Sequence, residues 1–155
     1  MAGIWITMPS KTRQDLLSAA QGFCNAFADQ KPPGEIFSHF STSDDVLALE
    51  HGLEQLAPFL GREFRGQDGL KEYFQLLSSN LKYENMRFSN FVVDPDVSKV
   101  SCRGEAKFTW TSTGQSWDEV FTYALEFDKD NKVKVYEIWA DSGAAYLASK
   151  GQLKQ

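Results

Sequence analysis

The sequence has little of the chemistry that metal and redox sites need. Its 155 residues include two cysteines and two histidines. Cys24 and Cys102 lie far apart, match no metal-ligand spacing and each fall in an apolar stretch, so we expect both to be reduced core residues. The histidines form no recognisable metal site with nearby acidic residues. We therefore predict neither a metal nor a cofactor.

Positive charge is also scarce. The net charge is −5 and the lysines and arginines form no basic stripe, which argues against a nucleic-acid partner. Residues 1–8 lack the basic start and long apolar run of a secretion signal. No segment approaches the roughly 20 apolar residues that a membrane-spanning helix needs. We therefore expect a cytoplasmic protein that contacts neither nucleic acid nor membrane.

Aromatic residues, in contrast, make up 14% of the chain, with twelve Phe, five Tyr and four Trp. Such rings bury large areas and often line apolar cavities, which favours a pocket for a small apolar or aromatic molecule. The length is that of one domain. We assign residues 1–10 to an N-terminal tail and 11–150 to a single domain.

The first half of the sequence is helical in pattern. Thr12 and Asp15 have the spacing of a capping box, and apolar residues then recur at helical spacing up to Pro32. A short helix is predicted over residues 35–40 and a short strand over 46–49. The segment 66–69 begins a third helix, whose buried face we assign to Leu70, Tyr73, Phe74 and Leu77.

The second half alternates β-branched and aromatic residues with polar ones. This pattern predicts strands over 82–93, 97–111, 117–127 and 133–140, followed by a short helix over 142–150. Helices followed by long strands indicate an α+β fold. Strands of about a dozen residues must coil strongly, so we expect a cone-shaped sheet with three helices over its concave face and an open mouth.

The register of the last hairpin decides which side chains face the cavity. A three-residue loop ending at Asn131, in the left-handed conformation, would pair Tyr123 with Glu137 and Phe121 with Trp139. A two-residue loop would instead pair Tyr123 with Ile138. Both arrangements give an apolar face, and we prefer the first, which turns Trp139, Glu137 and Asp141 inward.

Two stretches carry a family resemblance: GREFRGQDGL at residues 61–70, and FDKDNKV at 127–133 continued by YEIWAD at 136–141. With the order of elements, they resemble the SnoaL-like branch of the NTF2-like superfamily over nearly the whole chain. The resemblance implies an α+β cone with a mixed or antiparallel sheet, a ligand cavity between sheet and helices, and frequent homodimers. Asn131 replaces the usual turn glycine.

Members of this branch include polyketide cyclases, isomerases, dehydratases and binding proteins without catalysis. In the SnoaL-type cyclases an Asp at the end of the last strand is the acid/base, and Asp141 occupies the matching position. Asp141 has a competing structural role as the N-cap of the last helix. The second Asp of the isomerases and the histidine pair of the dehydratases have no counterpart that we could identify.

His51 is the candidate partner of Asp141, because histidine is a common acid–base residue that can pair with a carboxylate. Glu137 lies four residues, roughly 13 Å, before Asp141 and is too far to share a proton with it. If Glu137 faces inward it needs a hydrogen-bond donor, and Tyr123 is the candidate. The predicted apolar wall of the pocket consists of Trp139, Phe121, Trp110 and Phe108.

Two functions remain open from the sequence. One is a cofactor-independent isomerase, cyclase or dehydratase that acts on an apolar polyketide- or terpenoid-like compound, with Asp141 moving the proton. The other is a non-catalytic module that uses the same cavity to bind a ligand or a sheet face to dimerise. The missing second catalytic group motivates the second function.

Overall fold

A computed structural model describes Gly3 and residues 12–155. The predicted N-terminal tail therefore lies, apart from Gly3, outside the described residues. The described residues form four helices: α1 (Arg13–Ala28), α2 (Pro33–Phe37), α3 (Gly66–Asn80) and α4 (Ser142–Ser149). Six strands accompany them: β1 (Leu47–His51), β2 (Phe64–Arg65), β3 (Leu81–Asp94), β4 (Lys99–Trp110), β5 (Ser116–Phe127) and β6 (Val133–Trp139). A 3-10 turn covers Glu54–Leu56.

The helix starts follow from local hydrogen bonding. At α1, the Thr12 hydroxyl accepts from the main-chain N–H of Asp15, and the Asp15 carboxylate accepts from the N–H of Thr12, so the predicted capping box is confirmed. Gly66 starts α3 with φ of +71°, a conformation that favours glycine. Leu70 and Tyr73 are fully buried on the predicted inner face of α3.

The six strands form one mixed sheet in the order β2-β1-β6-β5-β4-β3. All neighbouring strands are antiparallel except β1 and β6, which are parallel. Two register shifts interrupt β3 near Asn85 and Asn90, both with positive φ. Such bulges bend a strand and increase its twist, which helps the long strands coil into a cone. The predicted α+β cone fold is confirmed.

The concave face of the sheet is apolar and packs against α1 and α3. Along β5 and β6 it carries Phe121, Tyr123, Leu125, Tyr136 and Ile138, all buried. Cys24 of α1 meets Cys102 of β4 beneath the helices, with the sulfur atoms 3.8 Å apart and both thiols free. Burial raises the pKa of the Cys24 thiol, which disfavours the reactive thiolate. The prediction of two reduced core cysteines is confirmed.

The register that we predicted for the β5–β6 hairpin is wrong beyond the pair next to the turn. Asn131 does have the left-handed conformation, with φ of +59°, and Phe127 pairs with Val133 as predicted. The register then shifts, so that Tyr123 pairs with Ile138 and Thr122 with Trp139. Glu137 and Trp139 therefore lie on the outer, convex face of the sheet, and Tyr123 is not the partner of Glu137.

The cause of this shift is a contact from outside the hairpin. The N–H of Val133 donates to His39 O at 2.9 Å, and the N–H of Ser41 donates to Val133 O at 2.8 Å. Val133 thus pairs with the segment after α2 as well as with β5, and Lys134 is left as the extra residue of a bulge. Every side chain after Lys134 changes face as a result.

Candidate functional site

A cavity of about 660 Å³ lies between the concave face of the sheet and the helices. This volume is in the range of pockets that hold drug-sized molecules. The wall is rich in aromatic residues: Phe27, Phe37, Phe59, Tyr73, Phe74, Tyr83, Phe108, Trp117, Phe121, Tyr123 and Tyr136 line it. Two buried glutamates, Glu50 and Glu119, lie among them, and the polar lining residues also include Lys71 and Lys82.

Glu50 reaches the cavity from β1. It follows the inward-facing Val46 and Ala48 at alternate positions and is 8% exposed. The hydroxyl of Tyr73, on α3, donates a hydrogen bond of 2.7 Å to Glu50 Oε1. Burial disfavours the charged carboxylate and raises the pKa of Glu50 to about 7, against the stabilising effect of that hydrogen bond.

Glu119 reaches the cavity from β5 and is 9% exposed. Its Oε1 accepts from the indole N–H of Trp117 at 2.9 Å and from the main-chain N–H of Asp141 at 3.2 Å. Burial raises the pKa of Glu119 to about 7, although both donors favour the carboxylate and lower it. Oε1 is thus occupied by two donors.

The two glutamates act on each other electrostatically. The charge of Glu119 raises the pKa of Glu50 further, so ionisation of one disfavours ionisation of the other. Burial raises the pKa values of Tyr73, Tyr123 and Tyr136 well above the usual range, which keeps these phenols neutral. Near neutral pH the site can therefore offer one protonated and one ionised carboxyl group.

Asp141 lies two residues after the end of β6 and is the N-cap of α4. Its carboxylate accepts the N–H of Ala144 at 2.9 Å, so the predicted capping role is confirmed. Asp141 and Ala140 also line the cavity, although the Asp141 side chain is otherwise exposed. The void therefore reaches Asp141, and catalysis by this residue stays a prediction.

His51 lies on the outer face of the sheet. Its Nε2 is 2.9 Å from Glu137 Oε2, and its ring stacks on Trp139 with the ring centres 4.3 Å apart. None of these three residues lines the cavity. The structure thus does not bring His51 and Asp141 together in one pocket, and it corrects the predicted inward direction of Glu137 and Trp139.

The other predicted wall residues divide into two groups. Phe108, Phe121 and Tyr123 line the cavity beside the glutamates. Trp110 does not. It is buried near the 3-10 turn, where its ring packs on Phe59 and its indole N–H donates to the Ser112 hydroxyl at 3.1 Å. Among residues 12–155, no group of three or more His, Cys, Asp or Glu side chains is arranged to hold a metal ion.

Sequence reasoning missed Glu50, Glu119, Tyr73, Tyr136 and Trp117 as site residues. A signal for Glu119 was present, because it alternates with Trp117 and Phe121 on the inward-facing row of β5. An acidic side chain in an apolar row needs a reason. Glu50 gave a weaker signal, since β1 has only five residues and the phase of its alternation is hard to read.

No family model matches the sequence, and no curated protein is significantly similar to it. Solved structures do match in fold. An NTF2-like protein from Burkholderia xenovorans LB400 is 19% identical with a TM-score of 0.71, covering 90% of this chain and 98% of that chain. TerC, co-crystallized with polyporic acid, is 18% identical with a TM-score of 0.72, covering 88% and 98%.

A third match is a predicted SnoaL-like polyketide cyclase from Jannaschia sp. CCS1. It is 11% identical with a TM-score of 0.73, and the alignment covers 96% of this chain and 99% of that chain. The structural similarity establishes the fold, and sequence identities this low leave the activity open. The chain therefore has the NTF2-like cone fold, of the kind found in SnoaL-like proteins.

Proposed function

We propose that this protein binds a small, largely apolar compound in its aromatic cavity and catalyses acid–base chemistry on it through Glu50 and Glu119. The observation that carries the proposal is the pair of buried carboxyl groups, each with a pKa of about 7, on a wall rich in aromatic side chains. A general acid or base works best when its pKa lies near the operating pH. Structural carboxylates on a surface have no need of this environment.

The chemistry follows from the two protonation states. The ionised glutamate removes a proton from a carbon next to a ligand carbonyl group, while the protonated one donates a hydrogen bond to the carbonyl oxygen. The electron pair of the broken C–H bond forms a C=C bond as the carbonyl electrons move to oxygen, which gives an enolate held by that hydrogen bond. In a β,γ-unsaturated ketone, the glutamate that took the proton returns it to the γ carbon, which moves the double bond into conjugation and restores the carboxylate. Cyclisation and dehydration use the same first step. No redox partner is required.

The cavity supports a ligand of polyketide or terpenoid type. The eleven aromatic rings of the wall favour flat or hydrophobic molecules, and 660 Å³ accommodates a compound of drug size. Two of the fold neighbours are consistent with this class: one is a predicted polyketide cyclase and the other was co-crystallized with polyporic acid.

The first experiment is a thermal-shift screen of small aromatic and isoprenoid ketones, followed by a product assay on compounds that raise the melting temperature. Glu50→Gln and Glu119→Gln should each reduce turnover at least a hundredfold, because the amide cannot exchange a proton. Binding should persist, since the side-chain volume is unchanged. Glu137→Gln, the same substitution on the outer face, should retain activity.

A compound that binds without conversion, and whose affinity neither glutamine variant changes, would favour a non-catalytic binding module instead. That alternative uses the same cavity but needs no proton transfer. Loss of turnover in Glu137→Gln equal to that in Glu119→Gln would contradict the assignment of the site to the concave face.

We also propose a cytoplasmic location and a homodimer. In the described part of the chain no helix is both long and apolar enough to cross a membrane. The homodimer is supported by large apolar side chains on the outer face of the sheet, where Trp139 is 45% and Val120 54% exposed.

A further inference from the structure

Asp141 links the buried Glu119 to α4 through two hydrogen bonds, of which it donates one and accepts the other. Its main-chain N–H donates to Glu119 Oε1 at 3.2 Å, and its carboxylate accepts the N–H of Ala144 at 2.9 Å. The first bond is part of the site and the second begins α4. The junction between β6 and α4 is thus tied to the buried glutamate.

We propose that Asp141 is a positioning residue for Glu119 and does not itself exchange a proton with the ligand. This inference rests on the proposed function, because it assigns proton exchange to Glu119. Oδ1 of Asp141 caps α4, and the residue is exposed to water. Glu119, in contrast, is buried in the cavity wall. Its Oε2 accepts no hydrogen bond from the residues that the structure describes, so this oxygen is left for a ligand.

The C-terminal end of α4 is also held in place, so the position of the helix depends on both of its ends. The Thr113 hydroxyl, in the turn between β4 and β5, donates to Ala148 O at 2.7 Å. With Asp141 capping the first turn, α4 is held at both ends against the strands that carry the site. Loss of the cap would loosen the junction and with it the N–H that Glu119 accepts.

Asp141 acts on Glu119 in two opposed ways. Its N–H stabilises the carboxylate form and lowers the pKa of Glu119, whereas its negative charge raises that pKa. Among the other charged groups that line the cavity, Glu50 has its pKa raised by Glu119, and Lys71 and Lys82 are the cations. Trp117 contributes a neutral donor. Asp141→Asn keeps the N–H and, because Asn caps helices as well as Asp does, keeps the cap. It removes only the charge.

The test is a pH titration of the full chain without any ligand. Glutamate labelled with ¹³C at the side-chain carboxyl carbon reports each carboxyl group by NMR, and loss of one signal in Glu119→Gln assigns Glu119. The wild type should titrate there with a midpoint of about 7. Asp141→Asn should move this midpoint downward and leave the melting temperature unchanged. Asp141→Ala removes the charge and also the cap, so it should lower the melting temperature. It should also leave the Glu119 midpoint above that of Asp141→Asn, because the N–H of residue 141 is no longer held on the carboxylate.

Asp118→Asn is the matched control. Asp118 precedes Glu119 in β5 but lies on the outer face, opposite Lys107 of β4, so removal of its charge should leave the Glu119 midpoint in place. A Glu119 midpoint in Asp141→Ala equal to that in Asp141→Asn would overturn the positioning role while leaving the proposed function intact. If no glutamate titrates near pH 7, or if neither Glu50→Gln nor Glu119→Gln removes one of the signals that do, the proposed function itself fails.

Discussion

Two adjacent residues of β1, Glu50 and His51, face opposite sides of the sheet. His51 attracts attention in the sequence because histidine is a common acid–base residue, yet its ring lies outside the cone against Trp139. Its neighbour Glu50 faces inward and acquires a near-neutral pKa through burial. The environment that a strand gives to a side chain therefore decides its chemistry more than the pKa of the free residue does.

The raised pKa values predict a stability that depends on pH. Glu50 has a pKa of about 7 in the folded protein, above its ordinary value of 4.5, so the folded state binds more protons than the unfolded state between these values. The free energy of unfolding should therefore fall as pH rises from about 4.5 to about 7 and level off above. For Glu50 the loss is about 3 kcal/mol.

Glu50→Gln should remove much of this fall and make the protein more stable than the wild type at pH 8, with a smaller difference at pH 5. Urea unfolding at both pH values measures it. Glu72→Gln, on the exposed surface beside Arg62, is the control and should follow the wild type. Equal pH dependence of the wild type and Glu50→Gln would mean that Glu50 is not buried as a neutral acid.

At the scale of elements, the turn at Asn131 was predictable and the strand after it was not. The loop sequence favours a left-handed residue, and Asn131 adopts that conformation. The bulge at Lys134 depends on the pairing of Val133 with residues 39–41, almost a hundred positions earlier in the chain. Alternation within one hairpin carries no information about such a contact, so the inward face of β6 could not be determined from the sequence.

Gly104 of β4 is required by the packing of Phe121 on the neighbouring strand. A Cβ atom at position 104 would lie 2.2 Å from Phe121 Cε2, far inside contact distance. Gly104→Ala should therefore push the Phe121 ring toward the cavity and destabilise the protein by about 1–3 kcal/mol. The same displacement should weaken binding of cavity ligands. Thermal unfolding and a thermal-shift binding assay measure the two effects.

Gly34→Ala, on α2 with no neighbouring atom within 4 Å of the added Cβ, should be close to neutral. Combining Gly104→Ala with Phe121→Leu should restore part of the lost stability, because the smaller side chain leaves room for the methyl group. Additive losses in the double variant would show that Gly104 is needed for a reason other than Phe121.

At the scale of the whole molecule, the order and lengths of the elements were enough to predict the fold. Three helices before four long strands leave few ways to cover one face of a coiled sheet. The site was harder, because it depends on residues from β1, β5, α3 and the β6–α4 junction. Glu50 and Glu119 are 69 positions apart in the numbering and become neighbours only through the parallel pairing of β1 with β6.

The outer face of the cone is where the predicted homodimer would form. Trp139, Val120 and Val92 expose 45%, 54% and 65% of their surface there. Burying such side chains against a second copy stabilises the dimer by roughly 25 cal/mol per Å² of apolar area removed from water.

We expect a dimer by light scattering, and Trp139→Glu should convert it to a folded monomer with an unchanged cavity. Val97→Glu, equally exposed but in the turn between β3 and β4, should remain dimeric. A wild type that elutes as a monomer at micromolar concentration would rule this interface out, and with it any role of the His51–Trp139 stack in assembly.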